Sequence, residues 1–242
     1  MRIGLVLPEL LGTYGDSGNA RVLHQRLAAR GLPAEVVSIA LGAPWPVQCD
    51  LYVLGGAEDG PQRQVTELLA AERGLHRAVD ANLPVLAVCA SLQILGRSYD
   101  TSDGRTAPGL GLLPCTTTAP GPEDPRMVGE AVVDPDPALA LPPVVGFENH
   151  AGTTRLDPGA RPFGTVRSGH GNGDARSGVL VDGCWAGRVL ATYLHGPVLA
   201  LNPALADLLL GWVVGELPEL PPDDPREQDA LAAHRARLEL SR

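Results

Sequence analysis

The chain has 242 residues, 44% of them apolar, and a formal net charge of −9. That length buries a substantial core within one α/β domain, and the acidic balance argues against a nucleic-acid-binding surface. No run approaches the roughly 18 uninterrupted apolar residues of a membrane span: the longest candidate, Ala204 to Leu217, is broken by Asp207, Gly211, Gly215 and Glu216.

Taken in chain order, Arg2–Leu7 reads as a buried strand and Gly18–Arg30 as a helix, capped by Asp16 or Ser17 and stopped by Gly31. Glu35–Ile39 and Asp50–Leu54 are two more strands, the second running into Gly55-Gly56. One helix is expected from Pro61 to Val79, then the apolar strand Pro84–Val88 and a helix over Ala90–Gly96. This alternation predicts a mostly parallel central sheet within an α/β fold. Beyond it, Ala107–Pro125 reads as a Gly/Pro/Thr loop, alone or with one short strand, and Val128–Val133, Val144–Phe147, Gly178–Val181 and Val189–Tyr193 as strands, some antiparallel. A helix from Asn202 or Pro203 to Val214, the Pro-rich break Pro218–Pro225 and a terminal helix Arg226–Leu240 close the chain. The division expected is a main domain over residues 1–217 followed by the break and helix of residues 218–242.

All 19 basic residues are Arg, which with 29 Gly and 23 Pro reads as codon bias rather than Arg chemistry. Cys49, Cys89, Cys115 and Cys184 include no CxxC pair, so neither a disulfide scaffold nor a metal site is expected. The start of the chain lacks a signal-peptide plan, and a cytoplasmic location is expected. One cysteine stands apart. In Leu83-Pro-Val-Leu-Ala-Val-Cys89-Ala-Ser-Leu-Gln-Ile-Leu-Gly96 an apolar strand ends at Cys89 and a helix starts at once, the geometry of a nucleophile elbow. A thiol there meets unpaired N–H groups and the positive end of the helix dipole. Gly55-Gly56 lies past another strand end, where backbone N–H groups near Gly56 and that of Ala90 can hold an oxyanion. His195, in Ala191-Thr-Tyr-Leu-His195-Gly-Pro197, ends a third strand and can serve as base. The carboxyl ends of parallel strands converge on one sheet edge, so residues this far apart in sequence can meet.

Gly55-Gly56-x-Glu58-Asp59, Val88-Cys89-x-x-x-Gln93-x-Leu95-Gly96 and His195 together resemble the class I (triad) glutamine amidotransferases. Gly146-Phe-Glu148-Asn149-His150-x-Gly152-x-Thr154 is similar to their cobyric-acid-synthase-like branch. Thr13-Tyr-Gly-Asp-Ser-Gly-Asn19 is similar to the GatD-type glutaminase subunits of lipid II isoglutaminyl synthase. The resemblance implies a flavodoxin-like three-layer sandwich. It implies Cys89 as nucleophile, His195 as acid and base, and Arg126, Gln93, Asn149 and His150 as substrate-binding residues, with His150 a rival for the base. It also implies glutamine as substrate and a MurT-like Mur ligase subunit as partner, carrying ATP and Mg, through which lipid II is reached. With no Lys, this chain has no Walker-type phosphate loop, so no cofactor is expected on it.

Ala87 and Ser91 stand where the family usually has Gly, and both are small enough for the elbow. The family's acid two residues beyond the histidine is replaced by Pro197, leaving either a Cys–His dyad or Glu148 as substitute orienter. The Thr13–Asn19 run reads equally as loop and helix cap, or as a surface near the active site or partner. Two other functions remain open at this point: a glutaminase serving a cobyric-acid-type synthetase, and a catalytically silent binding subunit.

Overall fold

Strands β1 (Arg2–Val6), β2 (Glu35–Ile39), β3 (Leu51–Leu54) and β4 (Val85–Val88) alternate with helices α1 (Gly18–Ala29), α2 (Asp59–Glu72) and α3 (Gly74–Asp80), and α4 (Ala90–Leu95) follows β4 directly. The computed structural model describes residues 1–240 apart from 47, 102, 122–124 and 177. After α4 come β5 (Ser98–Asp100), β6 (Thr106–Pro108), β7 (Cys115–Thr118), β8 (Met127–Pro135), β9 (Val144–His150), β10 (Thr153–Leu156), β11 (Gly164–Ser168), β12 (Val181–Asp182), β13 (Cys184–Ala186) and β14 (Val189–Thr192). Helices α5 (Val198–Leu201), α6 (Pro203–Val214) and α7 (Pro225–Leu240) complete the chain.

The fold is α/β. Its central sheet runs β13-β14-β4-β3-β1-β2, parallel throughout except for the edge strand β13. Every residue of β3, β4 and β14 is buried, as continuous apolar runs inside a parallel sheet require. Helix α1 packs on β1 and β2, and α4 on β4. Because the chain leaves β1 toward β2 on one side and returns to β3 on the other, a crevice opens outside the carboxyl ends of these strands. Residues following β1, β3, β4 and β14 face that crevice.

Two expectations change, and one open reading is settled. The helix expected over Pro61–Val79 is two helices, broken where Arg73 adopts a left-handed conformation (φ 50°). Trp45 sits on Gly74, so close that a Cβ there would lie 2.2 Å from the indole, and only glycine fits at the start of the second helix. In the Ala107–Pro125 segment the short strand allowed for is β7, joined by the end of β6, both part of a second sheet ordered β10-β7-β5-β6. The strand expected over Gly178–Val181 starts only at Val181. It belongs to a third sheet, β12-β11-β8-β9, whose β8 and β9 pair antiparallel from Met127↔His150 to Val133↔Val144. These short strands carry weak patterns because several alternate around Gly, Thr and Pro rather than presenting one clean apolar face.

Helix α7 buries none of its residues and holds on by polar contacts. Arg26 of α1 bridges Asp207 and Glu227, His234 Nδ1 lies 3.0 Å from the Leu201 carbonyl, and Arg237 pairs with Glu130. Among the described residues no helix is long and apolar enough to cross a membrane.

Candidate active site

Cys89 follows β4 in a backbone conformation of φ 53° and ψ −110°, which a residue with a side chain adopts only under constraint. The constraint is visible on both sides. Its N–H donates to the Thr192 carbonyl (2.9 Å), and its carbonyl accepts from Leu92 N–H (2.9 Å) as α4 begins. Ser91 Oγ donates to the Gly55 carbonyl (2.6 Å), pinning the β3 and β4 loops together. The elbow expected from sequence is present, with Ala87 and Ser91 in place of glycines.

His195 follows β14. Its N–H donates to Phe147 O (2.8 Å) and its carbonyl accepts from Phe147 N–H (3.2 Å), which fixes the backbone against β9. Nδ1 lies 2.8 Å from Oδ2 of Asp16, a fully buried carboxylate in the loop after β1. Asp16 Oδ2 also accepts the Gly56 N–H (2.9 Å). This arrangement places the ring proton on Nδ1 and leaves Nε2, buried and without a hydrogen bond of standard geometry, on the side of the thiol. Burial by itself would lower the His195 pKa. The hydrogen bonds and charges of Asp16 and Cys89 outweigh it and hold the imidazole at about 10.

Asp16 therefore occupies the role that sequence reasoning left vacant at Pro197. It does not cap α1: Ser17 is the N-cap residue, without a side-chain cap bond. Glu148 is not the orienter. Both its oxygens are taken by the N–H groups of His170 (2.9 and 3.1 Å) and Gly171 (2.9 Å) and by His170 Nδ1 (2.6 Å). The Gly56 N–H is likewise engaged, by Asp16, so it is not a free oxyanion donor. Gly56 instead provides room, since a Cβ there would lie 2.8 Å from His195 Cε1. Ala57, one residue on, and Ala90 at the start of α4 line the cavity beside Cys89.

That cavity, about 320 Å³, also brings together Tyr14, Glu58, Gln93, Arg126, Asn149 and His150. All four residues expected to bind substrate thus line it together with Cys89. Arg126 Nε donates to Asn149 Oδ1 (2.6 Å), and its Nη2 to the Asn149 carbonyl (3.2 Å) and Tyr14 Oη (3.3 Å). Tyr14 in turn donates to Glu58 and rests its ring on His195, centroids 4.8 Å apart. Burial, then the Glu58 hydrogen bond, pushes the Tyr14 phenol up to about 12, so it stays neutral. Gln93 spends its amide on the wall itself, accepting from Gln62 (2.8 Å) and donating to Tyr193 Oη (3.1 Å).

His150 is a different kind of histidine. Its Nδ1 lies 3.2 Å from the Gly152 carbonyl, which assigns the proton to Nδ1, and its ring stacks on Tyr193 at 3.6 Å. Burial, only partly opposed by that hydrogen bond, drives it down to about 4, and the nearby charges of His195 and Arg126 add to the effect. Of the cysteines read as structural, all are buried, and Cys184 hydrogen-bonds Cys115, which with burial pushes its thiol far above the usual range.

Tyr14 and Asp16 were missed as site residues. The available signal was their position just past β1, at the point where the strand order reverses. Of the Thr13–Asn19 run, Tyr14 lines the cavity and Asp16 holds His195, while Asn19 Oδ1 accepts the Leu199 N–H (2.9 Å) beyond it.

Residues 2–203 match the CobB/CobQ-like glutamine amidotransferase domain family. The GatD subunit of the glutamine-hydrolysing lipid II isoglutaminyl synthase of Staphylococcus aureus (strain N315) is 35% identical over 207 residues, which cover 84% of this chain and 80% of that protein. The GatD subunit of the same enzyme of Streptococcus pneumoniae (strain ATCC BAA-255 / R6) is 29% identical over 208 residues, 85% of this chain and 77% of that protein. The glutaminase domain of Trypanosoma brucei CTPS with bound acivicin has the same fold, with a TM-score of 0.58 and 13% identity over 91% of this chain and 96% of that domain.

Proposed function

Because this chain belongs to the CobB/CobQ-like glutamine amidotransferase domain family, we propose that Cys89, His195 and Asp16 form its catalytic triad, hydrolysing glutamine to glutamate and ammonia. The observation that carries this reading is the buried line of Asp16 Oδ2, the His195 ring and Cys89 at the carboxyl edge of one parallel sheet. Its parallel order β2-β1-β3-β4-β14 also supports a flavodoxin-like sandwich.

In the proposed mechanism the Cys89 thiolate attacks the side-chain amide carbon of glutamine. The oxyanion that forms is held by the N–H groups of Ala57 and Ala90, each such donor worth about 3–4 kcal/mol. His195, protonated by virtue of Asp16, gives its Nε2 proton to the departing nitrogen as the C–N bond breaks, leaving a thioester and ammonia. Neutral His195 then takes a proton from water, whose oxygen attacks the thioester and releases glutamate and the thiolate. Arg126 offers a planar fork to the α-carboxylate once substrate displaces its Asn149 contacts. Asn149, Gln93 and His150 shape the rest of the pocket.

The acceptor is read from the GatD likeness. Ammonia passes to a MurT-like Mur ligase subunit that uses ATP and Mg to amidate the D-glutamate of lipid II, in the cytoplasm. Reconstitution tests this. Amidated lipid II is expected only when this chain, a MurT-like protein, ATP and glutamine are combined. Cys89→Ala should abolish glutamine-dependent amidation by about 10⁴-fold or more while ammonium salts still support it. Glutamine-dependent synthesis by the alanine variant would remove Cys89 from the mechanism. Failure of the wild-type mixture would point to a different synthetase.

A further inference from the structure

Asp182 lies at the end of β12, is fully buried, and has no place in the mechanism above. Among the described residues no cation pairs with it, and the nearby Glu148 carboxylate adds to the cost of ionising it. A buried carboxyl without a counter-ion destabilises a fold unless its oxygens are well used. Here both oxygens go to the residues just before His195. Thr192 Oγ1 donates to Asp182 Oδ2 (2.5 Å), and the Tyr193 N–H donates to Oδ1 (3.2 Å). The Thr192 hydroxyl then accepts the Leu194 N–H (3.1 Å). Three consecutive residues, the last of β14 and the two that lead from it to His195, thus hang, directly or through one hydroxyl, on a single carboxyl.

Asp182 is itself held. The adjoining Gly183 exchanges two hydrogen bonds with the Asn172 side chain, N–H to Oδ1 (2.7 Å) and Nδ2–H to its carbonyl (2.9 Å), and the Asn172 N–H donates to Val181 O (2.7 Å). His195 is consequently fixed from three directions: its ring by Asp16, its backbone by Phe147, and the turn leading into it by Asp182. Of the two carboxyls among these, Asp182 has no chemical reason to be one beyond positioning.

We propose that Asp182 is a positioning residue for glutamine hydrolysis, holding the Thr192–Leu194 turn so that the His195 ring meets both Asp16 and Cys89. This rests on the triad reading for its kinetic consequence and on geometry alone for its structural one. Burial raises the Asp182 carboxyl to about 7, which fits a group retained despite its solvation cost.

The test uses the full chain and three variants. Asp182→Ala should lower kcat for glutamine hydrolysis about 30-fold with KM within about twofold, inside the roughly hundredfold loss that an ångström-scale misplacement causes. Asp182→Asn, which keeps an acceptor for Tyr193 N–H, should recover part of that loss. Thr192→Val, close in shape and certain to delete the hydroxyl link, should lower kcat about tenfold; it and the Asn variant keep the test decisive if the alanine variant does not fold. An NMR titration of the His195 ring should show its raised pKa moving toward the ordinary range in Thr192→Val and Asp182→Ala. Unchanged kcat and an unchanged His195 titration in folded Asp182→Asn and Thr192→Val would overturn the proposal, as would a change confined to KM. Should the wild-type chain not hydrolyse glutamine, the triad reading fails, while the titration still decides whether Asp182 positions the ring.

Discussion

Two histidines serve one cavity, each about 3% exposed, and the protein drives them in opposite directions. His195, at the edge of the parallel sheet, is held at about 10; His150, on the antiparallel wall made by β8 and β9, is pushed to about 4. Burial acts on both in the same sense, so it cannot be the difference. The difference is the partner. His195 faces the Asp16 carboxylate and the Cys89 thiol, whereas His150 offers Nδ1 to a neutral carbonyl and its ring to Tyr193. One region of the site stores a proton, and the other stays uncharged and lends shape. A second contrast runs along the same division. In the proposed mechanism the parallel edge supplies the groups that react, and the antiparallel wall, with Arg126 and Asn149, the groups that recognise.

Removing the Asp16 charge should break this contrast most severely. Asp16→Asn keeps the side chain's shape but removes the partner of the Nδ1 proton, and kcat should fall about 10³-fold or more, the scale known for such replacements behind a catalytic histidine. Stability carries the same signature. His195 is raised from 6.5 in the unfolded chain, so its contribution is complete below about pH 6.5 and disappears as the pH rises toward 10. Thermal melts of the wild type should therefore weaken across that alkaline window more than melts of Asp16→Asn. Parallel melting curves for the two proteins from pH 6.5 to 10 would separate Asp16 from the His195 charge.

Arg126→Lys sharpens the second contrast. The charge survives but the planar fork does not, so KM for glutamine should rise about tenfold while kcat stays within about threefold. A loss confined to kcat would move Arg126 from recognition to chemistry.

These contrasts were unequally legible in the sequence. The parallel half was readable because its strands are continuous apolar runs ending in punctuation: Gly55-Gly56 after β3, Cys89 after β4, His195 after β14. Each marks a strand end, and parallel strand ends share one edge. Asp16 was hidden for a physical reason. An Asp before a helix is most simply explained by capping, and only the folded topology reveals that β1 delivers this one to His195. Gly56 was misassigned as an oxyanion donor on similar grounds, because a sequence does not show that its N–H is already spent on Asp16. Glu148 lies in a recognisable motif, yet its partner is the His170–Gly171 backbone, 22 residues or more away. The antiparallel wall was read only in outline, its short strands being set by long-range pairing rather than by local pattern.

The smallest effect belongs to His150, and it decides whether the two histidines differ in role as well as in charge. His150→Phe preserves an aromatic ring on Tyr193 and removes both nitrogens. With His195 as the acid and base, kcat should drop less than about tenfold, since the lost imidazole takes no part in proton transfer. A base would instead show a loss comparable to that of His195→Ala, and that result would exchange the two assignments. Stability should respond on the acid side. His150 is depressed from 6.5 to about 4, so the folded state favours its neutral ring, and that advantage is present above about pH 6.5 and lost as the pH falls toward 4. The phenylalanine variant has no such group to titrate. Comparing its melting temperature with the wild type's at pH 7 and at pH 4.5, the gap should shift in the variant's favour as the pH falls, whereas for Asp16→Asn it shifts in the variant's favour as the pH rises.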